Sequence, residues 1–268
     1  MNTPVRILLD NGVFIHSEFA EGAEKATSLR WANKDPVFLH GFVRKAPVRD
    51  QEQMEALFTV GRLIREGRIE AFDYNEIQFE GMKHKRGLPV CNALQGCCPR
   101  TCPPAVQRSK FRTTHNFAEF ISKGGKEDRE AGIAPAEGNQ IAFFQWLRTL
   151  TRADIEALIP LIDLTVFEIE NLRNIEWFKS LCQRSQSPEN YPDVFHLWTA
   201  ERNGLDAFLT LDATFQNLVC GVRNEKVRKI EIRAEVLRPL DLLQKLGIDK
   251  PDPVPMEHNR FYHLHEFV

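Results

Sequence analysis

No window of this chain approaches the roughly 18 uninterrupted apolar residues that a membrane-spanning helix needs. No early stretch joins a basic segment to a long apolar core either. The expectation is a soluble, cytoplasmic protein without membrane association. Net charge is nearly absent, at -2, which argues against a generally sticky polycation, although local basic runs can still follow phosphates. The chain has no Gly-x-Ser-x-Gly elbow, no Walker phosphate loop and no internal repeat. Serine-nucleophile hydrolysis, P-loop nucleotide binding and solenoid architecture are therefore set aside. Six cysteines without a secretory signal read as reduced thiols or metal ligands rather than a disulfide framework.

What is present is enough apolar material for a core: 43% of the 268 residues are hydrophobic and 19 are Phe. That length suits one large domain or two modest ones. The chain is organised around its first apolar run, Val5-Arg6-Ile7-Leu8-Leu9, which stops at Asp10-Asn11-Gly12. This reads as a buried strand that delivers a carboxylate at its C-terminal end, the place where open α/β sheets bind ligands. The competing reading gives Asp10 only the job of capping the next helix.

Taken in order, Val13 to Glu24 begins a helix interrupted by His16, Ser17 and Glu18, and Val37–Val43 is a second strand or a buried connector. Met54, Leu57, Phe58, Gly61, Leu63 and Ile64 recur at helical spacing behind Asp50 as cap, and Gly67 stops that helix. Arg68 to Phe72 is a short strand that leads into a helix carrying Glu76 and Glu80, four apart and hence on one face. Residues 83–138 are rich in Gly, Pro, Cys and basic side chains and read as an irregular insertion within a single domain spanning 1–268.

Periodicity resumes at Gln140–Leu147, and Thr151 with Asp154 forms a capping arrangement. The apolar stripe from Leu164 to Leu181 predicts one helix of roughly five turns. A helix from Tyr191 to Asn203-Gly204, a strand over Leu205–Thr210, a short helix at Phe215–Val219, an edge strand over Lys229–Leu237 and a helix over Pro239–Gly247 close the pattern. Strands separated by helices predict an α/β, Rossmann-like three-layer fold with a largely parallel central sheet.

Asp10 and Asp212 each follow a strand, Asp193 lies in the first turn of a helix, and Glu80 lies on an early helix. Gathered carboxylates repel one another, and a divalent cation removes that penalty. Hard oxygen ligands suit Mg²⁺ or Mn²⁺, which activate water for phosphodiester hydrolysis with no side-chain nucleophile. A haloacid-dehalogenase phosphatase also opens with a strand ending in Asp, but it needs a second Asp two positions on, where this chain has Gly12.

The run Ile7-Leu8-Leu9-Asp10-Asn11, the run Pro192-Asp193-Val194-Phe195-His196-Leu197-Trp198-Thr199-Ala200 and the run Asp206 to Phe215 together resemble a PIN domain. The strand followed by Arg238-Pro239-Leu240-Asp241-Leu242-Leu243 is similar to that family's last strand and helix. The resemblance implies a metal-dependent endoribonuclease of the class that includes many bacterial toxin nucleases. Asp10, Asp193, Asp212 and Glu80 would be its Mg²⁺ or Mn²⁺ ligands and catalytic residues, with Glu76 as the alternative to Glu80. The chain departs from the family pattern at Asn11, where a small hydroxyl residue is common, and across the insertion. The alternative from another class is a PIN-like module without catalysis that binds RNA or a protein partner. An inhibitory protein partner would fit the toxin-like reading.

Within the insertion, Cys91, Cys97, Cys98 and Cys102, flanked by His84 and His115, could hold Zn²⁺. Their spacing is not that of a paired Cys-x-x-Cys knuckle, and free thiols in a loop are the competing reading. Cys182 and Cys220 read as small core residues. Lys83, Lys85 and Arg86 form one basic run, and Arg100, Arg108, Lys110 and Arg112 form another. These are either solvated loop charges or contacts that guide single-stranded RNA to the acidic site. The closing stretch from Met256, with His258, His263 and His265, is expected to pack on the domain surface.

Overall fold

The computed structural model describes residues 3–31, 35–47, 49–82, 92–111, 135–185, 187–224, 230–263 and 266. The opening strand β1 (Val5–Leu9) forms as expected, with Ile7, Leu8 and Leu9 fully buried. It pairs in parallel with β4 (Ile69–Asp73). With β5 (Arg100–Thr101), β6 (Ala207–Leu209) and β7 (Glu235–Leu237) these strands make a five-stranded sheet in the order β5-β4-β1-β6-β7. The architecture is the expected α/β, Rossmann-like one, a largely parallel sheet flanked by helices. β7 lies at the sheet edge, as its alternating pattern predicted, but it is only three residues long. Among the described residues no helix is long and apolar enough to cross a membrane.

Contacts cluster into two compact units: Met1–Arg100, Leu209–Leu211 and Leu237–Val268 form the first, Thr101–Phe208 and Asp212–Val236 the second. In the first, α1 (Asn11–His16) is shorter than its apolar residues suggested, because Ser17 turns back to donate to the Phe14 carbonyl at 2.6 Å. The chain then enters a hairpin of β2 (Ala20–Trp31) and β3 (Asp35–Arg44), to which β8 (Phe261–Tyr262) adds in the order β2-β3-β8. The closing stretch therefore packs on the domain, as expected, through a small core of Ala20, Phe42, Met256 and Tyr262.

Helix α2 (Gln51–Arg65) buries Ala56, Leu57, Val60, Gly61 and Leu63 and packs on β4. Asp50 stands at its N-terminus, but with a left-handed backbone (φ 62°) and no capping hydrogen bond from its side chain. Gly61 has a specific reason to be Gly: a Cβ there would overlap the carbonyl oxygen of Ala93. Helix α3 (Asn75–Gly81) follows β4 directly.

The second unit holds the aromatic core. Helix α4 (Pro135–Thr149) contributes Phe143, Phe144 and Trp146, all buried, and it begins inside the expected insertion. Helix α5 (Arg152–Leu158) opens with the reciprocal capping box of Thr151 and Asp154 that the spacing predicted. The expected five-turn helix is two helices, α6 (Val166–Arg173) and α7 (Glu176–Ser185). Asn174 breaks it, leaving helical geometry (φ -106°, ψ 25°) while its side-chain amide donates to the Glu170 carbonyl. Helix α8 (Tyr191–Arg202) ends at Gly204, whose φ of 61° is the left-handed conformation a C-terminal glycine supplies. Helix α9 (Ala213–Asn224) follows β6, and in the first unit α10 (Pro239–Lys245) packs against α2.

Candidate functional site

The sheet order reverses at β1: the chain runs from β1 to β4 and β5 on one side and returns to β6 and β7 on the other. In open α/β sheets the C-terminal strand ends at such a reversal are where ligands bind. Asp10 and Thr210 stand there, each immediately after its strand, and the Asp10 N–H donates to the Leu209 carbonyl at 3.0 Å.

Asp10 occupies the N-cap position of α1 with extended backbone (φ -70°, ψ 154°), yet its side chain makes no capping hydrogen bond. Its Oδ2 instead accepts the Thr210 hydroxyl at 2.8 Å. Gly12 leaves room for this arrangement, since a Cβ there would lie 3.1 Å from Oδ2. The capping reading of Asp10 therefore describes its backbone and not its carboxylate.

Glu76 and Glu80 both project from α3. Glu76 is buried, whereas Glu80 is half-buried and brings a carboxylate oxygen within 4.8 Å of one from Asp10. Two full negative charges at such a distance repel by roughly 3 kcal/mol at an effective dielectric constant of about 20. A divalent cation coordinated by both converts that repulsion into binding energy.

In the second unit, Asp212 Oδ1 accepts from the backbone N–H groups of Thr214 (2.7 Å) and Phe215 (3.1 Å), so it caps α9. Asp193 lies half-buried in the first turn of α8. Three residues on, hence on the same helical face, is His196, 1% exposed with its ring 5.9 Å from that of Phe208. Sequence reasoning passed over His196; its spacing from Asp193 was the available signal, and a buried imidazole is a ligand type that Mn²⁺ accepts. Within this unit neither Asp193 nor Asp212 belongs to a group of three ligand-type side chains, among the described residues.

Of the zinc candidates, Cys91 lies outside the described residues, as do His84 and His115. The Cys97 thiol donates to the Gly61 carbonyl at 3.3 Å, and burial pushes its pKa up against the opposing pull of Arg65. Cys98 is exposed and Cys102 buried, and among the described residues the three form no metal-holding group. Cys182 is a core residue as expected, its thiol pushed far up by burial, but Cys220 is exposed because it falls on the outer face of α9.

Lys83, Lys85, Arg86 and Arg112 also lie outside the described residues. Arg100 pairs with Glu70. Arg108 is 6% exposed, and Lys110 donates to the buried Glu168 at 2.7 Å. These two positions do not present the open basic surface that their sequence suggested, because the segment carrying them is folded into the second unit. Glu168 also accepts from the Gln107 N–H and from the Thr165 N–H and hydroxyl. Burial alone would raise its pKa; these donors outweigh burial and hold it below the usual carboxylate value.

Compared with known proteins, the chain matches no family model, no curated protein and no solved structure.

Proposed function

We infer that this chain is a PIN-like, Mg²⁺- or Mn²⁺-dependent endoribonuclease that hydrolyses RNA phosphodiester bonds. The observation that carries the reading is the Asp10 carboxylate: it stands at the topological switch point, is released from capping, is oriented by Thr210 and faces Glu80. Such a carboxylate pair fits a hard divalent cation. Asp10 and Glu80 would hold the ion; the resemblance implies Asp193 and Asp212 as further acidic residues of the activity.

A bound ion of this kind lowers the pKa of water and offsets charge on the phosphodiester. Thr210 fixes the rotamer of Asp10, leaving its Oδ1 outside that hydrogen bond. Glu80 supplies an oxygen from a separate element, so the ligand spacing depends on how α3 is seated after β4. Gly12 keeps the space beside Asp10 Oδ2 open.

The test combines Mn²⁺ titration calorimetry with cleavage of a fluorescent single-stranded RNA by wild type, Asp10→Asn and Asp212→Asn. Wild type should bind Mn²⁺ and cleave, and both variants should lose cleavage. Equal cleavage by all three proteins would sink the assignment. RNA binding that persists in chelator, with no cleavage by wild type, would identify a non-catalytic RNA-binding module instead.

A further inference from the structure

Cys97 and Cys98 are adjacent in the first unit, yet the fold treats their thiols differently. Cys97 closes a turn, its N–H donating to the Leu94 carbonyl at 3.0 Å, and the Ala93 N–H ties that turn to the Ser17 carbonyl at 2.8 Å. The half-buried Cys97 thiol lies against α2: it donates to the Gly61 carbonyl at 3.3 Å, and Arg65, one helical turn on, sets Nη1 3.7 Å from the sulfur. The same guanidinium donates to the Gln95 carbonyl at 2.8 Å. Cys98 is exposed, which is all that a small oxidant needs.

This difference divides the steps of oxidation between the two sulfurs. An exposed thiol meets an oxidant first, whereas a thiol kept protonated by its surroundings is a poor initial nucleophile. Burial pushes the Cys97 thiol up. An exposed thiol oxidised alone proceeds past sulfenic acid to irreversible forms, but a neighbouring thiol diverts the sulfenic acid into a disulfide. Cys97 and Cys98 are the one adjacent cysteine pair in the sequence. Cys102 and Cys182 are buried, and Cys220 is exposed with no cysteine beside it in the chain.

We propose that Cys97 and Cys98 form a reversible oxidation site for hydroperoxides, with Cys98 taking the oxidant and Cys97 resolving it as a vicinal disulfide. The Cys98 sulfur attacks one peroxide oxygen; an S–O bond forms, the O–O bond breaks, and the departing hydroxide takes the thiol proton as water. Cys98 is thereby oxidised by two electrons to the sulfenic acid. The Cys97 sulfur then attacks the Cys98 sulfur; an S–S bond forms, the S–O bond breaks, and the Cys97 proton leaves with the hydroxyl as a second water. Neighbouring Cα atoms are about 3.8 Å apart across a trans peptide, closer than a relaxed disulfide prefers, so the bridge is readily reduced. A bridged sulfur carries no proton, so oxidation also removes the Cys97 hydrogen bond to Gly61 and loosens the turn from α2.

The test adds hydrogen peroxide to the full chain until the exposed Cys220 is oxidised, then alkylates free thiols and maps the cysteines by tandem mass spectrometry. Cys97 and Cys98 should together lose two hydrogens and resist alkylation, and dithiothreitol should restore both thiols. Cys98→Ser should leave Cys97 open to alkylation. Cys97→Ser keeps a hydroxyl to donate to Gly61 and should let Cys98 run on to the sulfinic acid. Amide exchange from Asn92 to Cys97 should quicken on oxidation of wild type and return on reduction. The proposal is overturned if both thiols remain free, if Cys98 of wild type becomes sulfinic as readily as in Cys97→Ser, or if fragment ions place its bridge on another cysteine such as Cys91.

Discussion

The hydroxyl of Thr210 donates to Oδ2 of Asp10 at 2.8 Å across 200 positions of sequence. Thr210 is fully buried, so water does not substitute for it. Thr210→Val keeps the β-branched shape and removes only the donor. It should lower stability by about 1–3 kcal/mol and weaken Mn²⁺ binding, while Thr210→Ser recovers most of both. Urea denaturation and calorimetry give the two numbers; an unchanged midpoint and unchanged affinity would mean the hydroxyl is idle.

Asp212 separates its structural role from its proposed chemical one. Removing the cap with Asp212→Ala should cost about 1 kcal/mol, whereas Asp212→Asn keeps a good capping side chain and stays near wild-type stability. Both substitutions remove the charge. Thermal denaturation of the pair therefore isolates the cap, and a nuclease assay on the Asn variant isolates the carboxylate.

Two glutamates in the second unit tilt stability in opposite directions with pH. Glu168 is held below its ordinary pKa, so its contribution is present above about pH 4.3 and is lost as pH falls through the folded value beneath it. Burial pushes the Glu201 carboxyl up despite the N–H donors of Ala234 and Arg233, so stability declines as pH rises from about 4.3 through its folded value. Urea midpoints across pH should show a flatter acid limb in Glu168→Gln. In Glu201→Gln the decline above that pH should shrink. Parallel profiles for all three proteins would refute both assignments.

Gly61→Ala sets two known magnitudes against each other. Ala gains roughly 1 kcal/mol of helix propensity over Gly, but the new methyl collides with the Ala93 carbonyl, and overpacking of this kind costs about 1–3 kcal/mol. The collision is with backbone, which has little freedom to yield. A net loss of stability in urea denaturation is expected; a gain would show that the segment around Ala93 moves aside without penalty.

Much of the parallel sheet was legible because it is buried. β1, β4 and β6 show as apolar runs, and the capping box at Thr151 shows as a local spacing. The β2–β3 hairpin was not legible as a strand pair, because Glu21 to Ala26 is open to water on both faces and carries no apolar alternation for burial to imprint. The break at Asn174 was hidden by apolar residues that keep nearly helical spacing through two separate helices. The carboxylate positions were visible as strand-end and helix-end acids. The Thr210 hydrogen bond was not, because a contact between residues so distant leaves no local pattern. Arg108 and Lys110 show the converse: charge counted along a chain does not say whether it is already matched, and Glu168 matches Lys110.

Leu209–Leu211 belong to the first unit although the residues on either side belong to the second, and the first unit also needs Leu237–Val268. On a ribosome working from the N-terminus, the first unit begins first and finishes last. Its early hairpin must wait for Met256 and Tyr262 before the small core with Ala20 and Phe42 can close. Cutting the chain at any single point therefore yields no fragment containing the whole first unit and nothing else. During synthesis the edge of β2 is exposed well before that core forms, and this interval is when unwanted strand pairing is most accessible.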